Sequence, residues 1–355
     1  MGNQIFVRMG DGERVRMPAE EVKDHIQAGT AEASEWGGVA ELTFEEQERL
    51  FDILAEPGRM VSVNPGEEVI VTDDGATMSF YSGQDGGGVG TPMSRMQAVL
   101  TYERACGADT TSLGNSDYSY KPVKPIVNFE ANDYYNISMN TTAPFLYGAQ
   151  PNMGLYFQPD GPCPNATELM PMGKVQEALD AQEEAAGMLE DDLVYVGRKL
   201  ADAGLEGINF DTCGSAGDAD YLAALRAVRR LKKDLPDLPV VMGSSGEFVL
   251  GMHGSVEFDG TRLAGLYPQD QVKLVADAGA SIYGMAVNTN TNKSLPWNLA
   301  RSTTFMKATT DAATIPVHAN VGMGVCGIPM MEQPPIDSVT RVSKSLVQIG
   351  KADGL

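Results

Sequence analysis

Apolar and polar positions alternate over 4–9 and again over 13–17, on either side of Gly10-Asp11-Gly12. A period of two around a glycine turn predicts a β-hairpin. The period then lengthens. Apolar residues recur every three to four positions over 19–28, which predicts a short amphipathic helix. A second helix begins at Thr43, where Glu46 three residues on completes a capping box, and Gly58 closes it. Residues 61–92 are rich in Gly and Asp and read as short strands and loops. Among them Gly86-Gly87-Gly88-Val89-Gly90 fits neither a dinucleotide fingerprint nor a phosphate loop, so it reads as a plain glycine loop.

From about 93 onward strand and helix patterns alternate. Helices are expected over 94–106, 173–203, 220–235, 296–313 and 336–349. Strands are expected at 110–113, 125–129, 144–149, 207–210, 239–242, 281–287 and 315–319. Such alternation predicts an α/β fold with a parallel sheet. The length and the missing Rossmann start favour a (β/α)8 TIM barrel over a doubly wound sheet. The expected organisation is an N-terminal hairpin and helix cap over 1–92, followed by the barrel over 93–355.

One phrase marks three helix ends. Ala201-Asp202-Ala203-Gly204 and Ala276-Asp277-Ala278-Gly279 each precede a strand, with the glycine suited to a left-handed helix cap. The third case is Ala352-Asp353-Gly354-Leu355. Seven strands are counted where a barrel needs eight, so the barrel is expected to lack its last strand in this chain.

Composition narrows the function classes. The chain has 355 residues, 43% of them hydrophobic, which supports a full core and excludes a disordered or fibrous protein. Lys+Arg number 26 against 48 Asp+Glu, a net charge of −22. A surface this acidic repels nucleic acid and anionic membranes and suits a cationic substrate, although solubility alone also accounts for it. No apolar run is long enough for a membrane span, and the N-terminus lacks a signal-peptide core. Cys106, Cys163, Cys213 and Cys326 form no CxxC pair and no zinc-finger spacing with His. The expectation is free thiols in the cytoplasm and no bound metal.

Polar residues gather where the predicted strands end, the position of active sites in (β/α)8 enzymes. These are Gln150, Asn209, Asp211, Glu247, Asn288, His318 and Asn320. Together they could hold a small polar molecule and move a proton, and Asp211 with Glu247 would favour an amine. Each also has a plain reading: Asn and Asp cap helices, and His318 could be a satisfied barrel histidine. Glu247 follows a Gly/Ser run and has no capping duty, so it stands out among them. GxSxG and HExxH are both missing.

Several segments, in order along nearly the whole chain, resemble one family. They include Arg8-Met9-Gly10-Asp11-Gly12, Tyr118-Ser119-Tyr120-Lys121-Pro122-Val123-Lys124-Pro125, Pro151-Asn152-Met153-Gly154-Leu155-Tyr156 and Asn209-Phe210-Asp211-Thr212. Further along come Val249-Leu250-Gly251-Met252-His253-Gly254, Asn288-Thr289-Asn290-Thr291, Trp297-Asn298-Leu299-Ala300-Arg301 and Pro334-Pro335-Ile336-Asp337. The chain resembles the dimethylamine–corrinoid protein methyltransferases of methylamine-using archaea and some bacteria. The resemblance implies methyl transfer from dimethylamine to the Co(I) corrinoid of a separate protein, with release of monomethylamine. It also implies a pyrrolysine, read from an in-frame UAG codon, immediately after Leu355 and therefore absent from this chain. The implied partners are dimethylamine and a cognate corrinoid protein, and a homo-oligomer is expected. Two other readings stand beside it: a non-catalytic truncated product, and a different barrel lyase or methyltransferase.

Overall fold

The computed structural model describes residues 4–73, 108–112, 123–126, 153–202, 207–251, 255–331 and 334–355. β1 (Gln4–Arg8) and β2 (Arg14–Pro18) form the predicted hairpin, with Gln4 opposite Pro18 and Arg8 opposite Arg14. Asp11 tightens its tip by accepting the Glu13 amide at 2.9 Å. α1 (Ala19–Gly37) follows directly, and α2 (Phe44–Ala55) starts on the complete Thr43–Glu46 capping box. β3 (Val69–Asp73) and β4 (Ala108–Ser112) pair in parallel.

Then come β5 (Val123–Ile126), the one-turn α3 (Ala166–Leu169) and the long α4 (Val175–Asp202). Strands and helices alternate thereafter: β6 (Gly207–Cys213), α5 (Asp218–Asp234) and β7 (Val240–Ser244). A minimal hairpin, β8 (Glu257–Phe258) and β9 (Thr261–Arg262), precedes α6 (Pro268–Ala278). β10 (Ile282–Met285), α7 (Leu295–Ala312), β11 (Val317–Ala319) and α8 (Ile336–Gln348) complete the series.

The sheet runs β11-β10-β7-β6-β5. Its first four strands are parallel, as the alternation predicts. β5 departs from that expectation, because it pairs with β6 antiparallel, Val123 opposite Phe210 and Ile126 opposite Gly207. Pro125 lies in β5 and cannot donate to a ladder, which fits a strand at the margin of the described sheet. The expected helix 94–106, the strand 144–149 and the boundary at 92/93 lie outside the described residues.

The two faces of the sheet differ. Phe210, Met242, Tyr283 and Val317 are register neighbours, all fully buried, on the helix side. Each such burial contributes about 1.5–3 kcal/mol. Behind them, Tyr283 donates to Gln271 of α6 at 2.8 Å, and Ser244 donates to the same oxygen at 2.7 Å. The other face carries Asn209, Asp211, Gly243, Gly284 and His318.

The N-terminal elements pack onto α7 and α8. α1 runs on to Gly37 instead of ending at Ala28, because Gly29 and Thr30 are contact residues rather than a helix stop. A Cβ on Gly29 would lie 2.2 Å from the Trp297 carbonyl oxygen, so only glycine lets the two helices approach this closely. Thr304 donates to Thr30 at 2.9 Å. Arg341 of α8 reaches the carbonyls of Glu56 (2.6 Å) and Gly58 (2.8 Å) just beyond α2. Arg8 pairs with Asp337 at 2.9 Å.

After α8 the left-handed residue is Lys351, with φ 60°, and not Gly354, as the repeated phrase predicted. Gly354 instead forms a parallel bridge with His318. The Asp353 amide donates to Val317 O at 2.9 Å, and the Ala319 amide donates to Gly354 O at 3.1 Å. At Gly279 the phrase does what was predicted, with φ 101° at the end of α6. Among the described residues no helix is long and apolar enough to cross a membrane.

Candidate active site

Parallel strands end together, so the residues just past β6, β7, β10 and β11 share one edge of the sheet. Asp211 lies near the end of β6, where the pairing with β7 shifts between Phe210 and Cys213. Thr212 takes a φ of 53° at this irregularity and donates its amide to Asp211 Oδ1 at 2.8 Å. Such a bulge re-aims the side chain beside it. The Asp211 carboxylate leans over β7: a Cβ on Gly243 would lie 3.1 Å from Oδ1. On β10, a Cβ on Gly284 would lie 2.9 Å from His318 Nε2 and 2.9 Å from the Gly243 Cα. The Asp211 carboxylate and the His318 imidazole thus lie close over two adjacent glycines, and any side chain at those glycines would collide with them. Asn209 lies one layer deeper, beside Val241 in the register. It is 6% exposed, and its Oδ1 has no hydrogen-bond partner among the described residues.

Glu247 follows β7 and is buried. Its Oε2 accepts the Asn288 amide at 2.9 Å, and its Oε1 accepts from Arg301 Nη2 at 3.1 Å. Glu247 and Asn288 are thus brought together, with Asn288 Oδ1 against Gly246. Asn320 stands just past β11; its amide donates to Met285 O at 3.0 Å, and its Oδ1 accepts the Gly322 amide at 2.9 Å. That side chain organises its own turn at an exposed position. Gln150 lies outside the described residues.

Cys326 sits beside this edge, fully buried, with its amide donating to Val287 O at 2.6 Å. Burial pushes its thiol up to about 12; the Val287 contact works against the rise, and the charge on Glu247 adds to it. The thiol is held protonated. Asp220, also buried, clamps the loop after β6 by accepting the amides of Gly214 (3.0 Å) and Ala216 (3.2 Å). Burial lifts its carboxyl above the usual range, and these amides only partly offset the rise. Among the described residues no three His, Cys, Asp or Glu side chains converge as a metal-binding group.

Two functional neighbours escaped the sequence reading. Arg301 belongs to the Trp297–Arg301 segment noted above, yet a lone arginine in a helical pattern reads as solvated. Glu32 lies on the far side of α7, in a helix expected to have ended. Only the packing of α1 on α7 brings Glu32 Oε1 to 3.6 Å from Arg301 Nε.

A family model described as dimethylamine methyltransferase matches residues 3–355. The chain belongs to the dimethylamine methyltransferase family. No solved structure matches it. In this dimethylamine methyltransferase family member, Asp211, Glu247 and His318 lie at or near the ends of the parallel strands.

Proposed function

We propose that this edge of the sheet binds dimethylamine and promotes transfer of one methyl group to the Co(I) corrinoid of a separate protein, releasing monomethylamine. The observation that carries the reading is the family match over residues 3–355, joined to the placement of Asp211 and His318 over adjacent glycines at the strand ends. We also propose a (β/α)8 barrel as the architecture; the same reading expects a cytoplasmic homo-oligomer.

The family's pyrrolysine, expected directly after Leu355, supplies an electrophilic imine carbon, and the corrinoid supplies the methyl acceptor. The residues present fit such a side chain. Gly354 lies beside His318 in a parallel bridge, and strand alternation returns the residue after Leu355 to the His318 face. On that face the His318 imidazole and the Asp211 carboxylate lie close over Gly284 and Gly243.

The chain's own groups then have distinct tasks. Asp211 attracts the ammonium and fixes its N–H direction. Glu247 is the proton carrier at the amine nitrogen. Asn209, Asn288, His318, Asn320 and Gln150 shape the cup and hold the amine in one orientation, which lowers the entropic cost of the transfer.

Enzyme isolated from its native host, supplied with its reduced corrinoid partner, is expected to convert dimethylamine to monomethylamine. No conversion would overturn the reading. Glu247→Gln is expected to lower turnover by about 10²-fold or more. Near wild-type turnover in that variant would remove Glu247 from the proton role.

A further inference from the structure

Glu247 is held from behind by one cation, and that cation is held in turn by the N-terminal segment. The Arg301 side chain is 9% exposed and donates from Nη2 to Glu247 Oε1 at 3.1 Å. Its guanidinium lies 5.2 Å from the Phe305 ring centre and 6.0 Å from that of Trp297. On its other side Nε lies 3.6 Å from Glu32 Oε1 of α1. Phe305 in turn stacks on Tyr267, with ring centres 5.4 Å apart.

A guanidinium set among aromatic faces is poorly hydrated, so its pull on a carboxylate is screened less than at an open surface. Its planar fork also fixes direction, which an ammonium on a flexible stem cannot do. We propose that Arg301 is the positioning residue for Glu247, and that Glu32 of α1 anchors Arg301. α1 is then a working part of the amine site rather than a separate cap. The inference rests on the reading of Glu247 as proton carrier.

The chain of contacts is short: Glu32, Arg301, Glu247, then the Asn288 amide that opens the loop after β10. Removing Arg301 frees one carboxylate oxygen of Glu247 and lets the group rotate away from that amide. The substrate pocket itself loses no group, so kcat should fall while KM stays nearly constant.

The test uses native-length enzyme with its corrinoid partner. Arg301→Gln should lower kcat by about 10-fold or more with KM within about threefold, and Arg301→Lys should restore part of the loss. Glu32→Gln, at a more exposed position, should give a smaller loss in the same direction. In a Glu247→Gln background, Arg301→Gln should add less than about twofold, because the two residues act as one unit. Amide hydrogen exchange supplies a readout independent of turnover: peptides covering 286–292 should exchange faster in Arg301→Gln and Glu32→Gln. Full additivity of the double variant, or unchanged exchange over 286–292, would overturn the inference. Near wild-type turnover in Glu247→Gln would instead overturn the proton-carrier reading, and with it the basis of this proposal.

Discussion

Gly29→Ala separates two physical accounts of α1 by the sign of a stability change. In a helix interior, alanine is favoured over glycine by about 1 kcal/mol, so propensity alone predicts a more stable protein. The packing predicts the reverse. A Cβ at this position would lie 2.2 Å from the Trp297 carbonyl oxygen, 3.0 Å from its carbon and 3.1 Å from the Ala300 Cβ. The closest of these is about 1 Å short of ordinary contact. Two of the three atoms are backbone, so no rotamer change relieves the clash and the helices must part. Overpacking of this kind costs about 3 kcal/mol at the upper end of its usual range. Set against the propensity gain, the net is a loss of about 2 kcal/mol. Gly187 is the control, since it lies in α4 with nothing within 4 Å of an added Cβ. Gly187→Ala should therefore stabilise by about 0.5–1 kcal/mol. Urea unfolding followed by circular dichroism reads both variants. A Gly29→Ala protein as stable as the parent, or more so, would show that α1 and α7 do not meet as described, and would detach Glu32 from Arg301 as well.

Two further outcomes follow from buried titratable groups. Burial raises the Asp220 carboxyl above its unfolded value, so its contribution to stability is greatest below the usual aspartate range and is lost as pH rises through the raised value. Relative to Asp220→Asn, the parent should lose stability as pH rises over that interval; a flat difference in urea midpoints would contradict this. At pH 8, iodoacetamide should leave Cys326 and Cys213 unmodified in the folded protein and alkylate both in urea, as peptide mapping would show. Alkylation of Cys326 in the native state would count against its burial.

Local rules reached far into this fold but stopped at contacts between distant segments. The hairpin was legible because Gly10-Asp11-Gly12 interrupts two alternating runs, and α2 because Thr43 and Glu46 cap reciprocally. The four parallel strands from β6 to β11 were legible because short apolar runs alternate with helical periods. The end of α1 was misread, since Gly29 and Thr30 carry the local marks of a helix stop and only contact with α7 reveals their use. The direction of β5 was hidden because an apolar run carries no information about which way it pairs. Glu247, Asn288 and Asn320 were legible as residues just past strands. The bonds from Glu247 to Asn288 and Arg301 were not, because they join positions 41 and 54 residues apart.

The unequal faces of the sheet are what tie the fold to the chemistry. A parallel sheet covered by helices on both sides carries apolar residues on both. Here one face is Phe210, Met242, Tyr283 and Val317, all fully buried, while the other places Asp211 and His318 at the ends of a row with Gly243 and Gly284 between them. A Cβ at Gly284 would meet the Gly243 Cα and His318 Nε2 at 2.9 Å, so glycine is what lets the imidazole lie against the sheet. Glycine there gives up packing and costs chain entropy on folding. The cost is offset by the dense packing on the helix side, and the face over the glycines carries an acid and an imidazole. A methylamine carries one small charged nitrogen and little apolar surface, so a pocket for it gains little from hydrophobic burial and must hold its ligand by direction and charge. In the proposed reading the Asp211–His318 row supplies charge and direction, and Arg301, 3.1 Å from Glu247 and 3.6 Å from Glu32, fixes the orientation of a second acid.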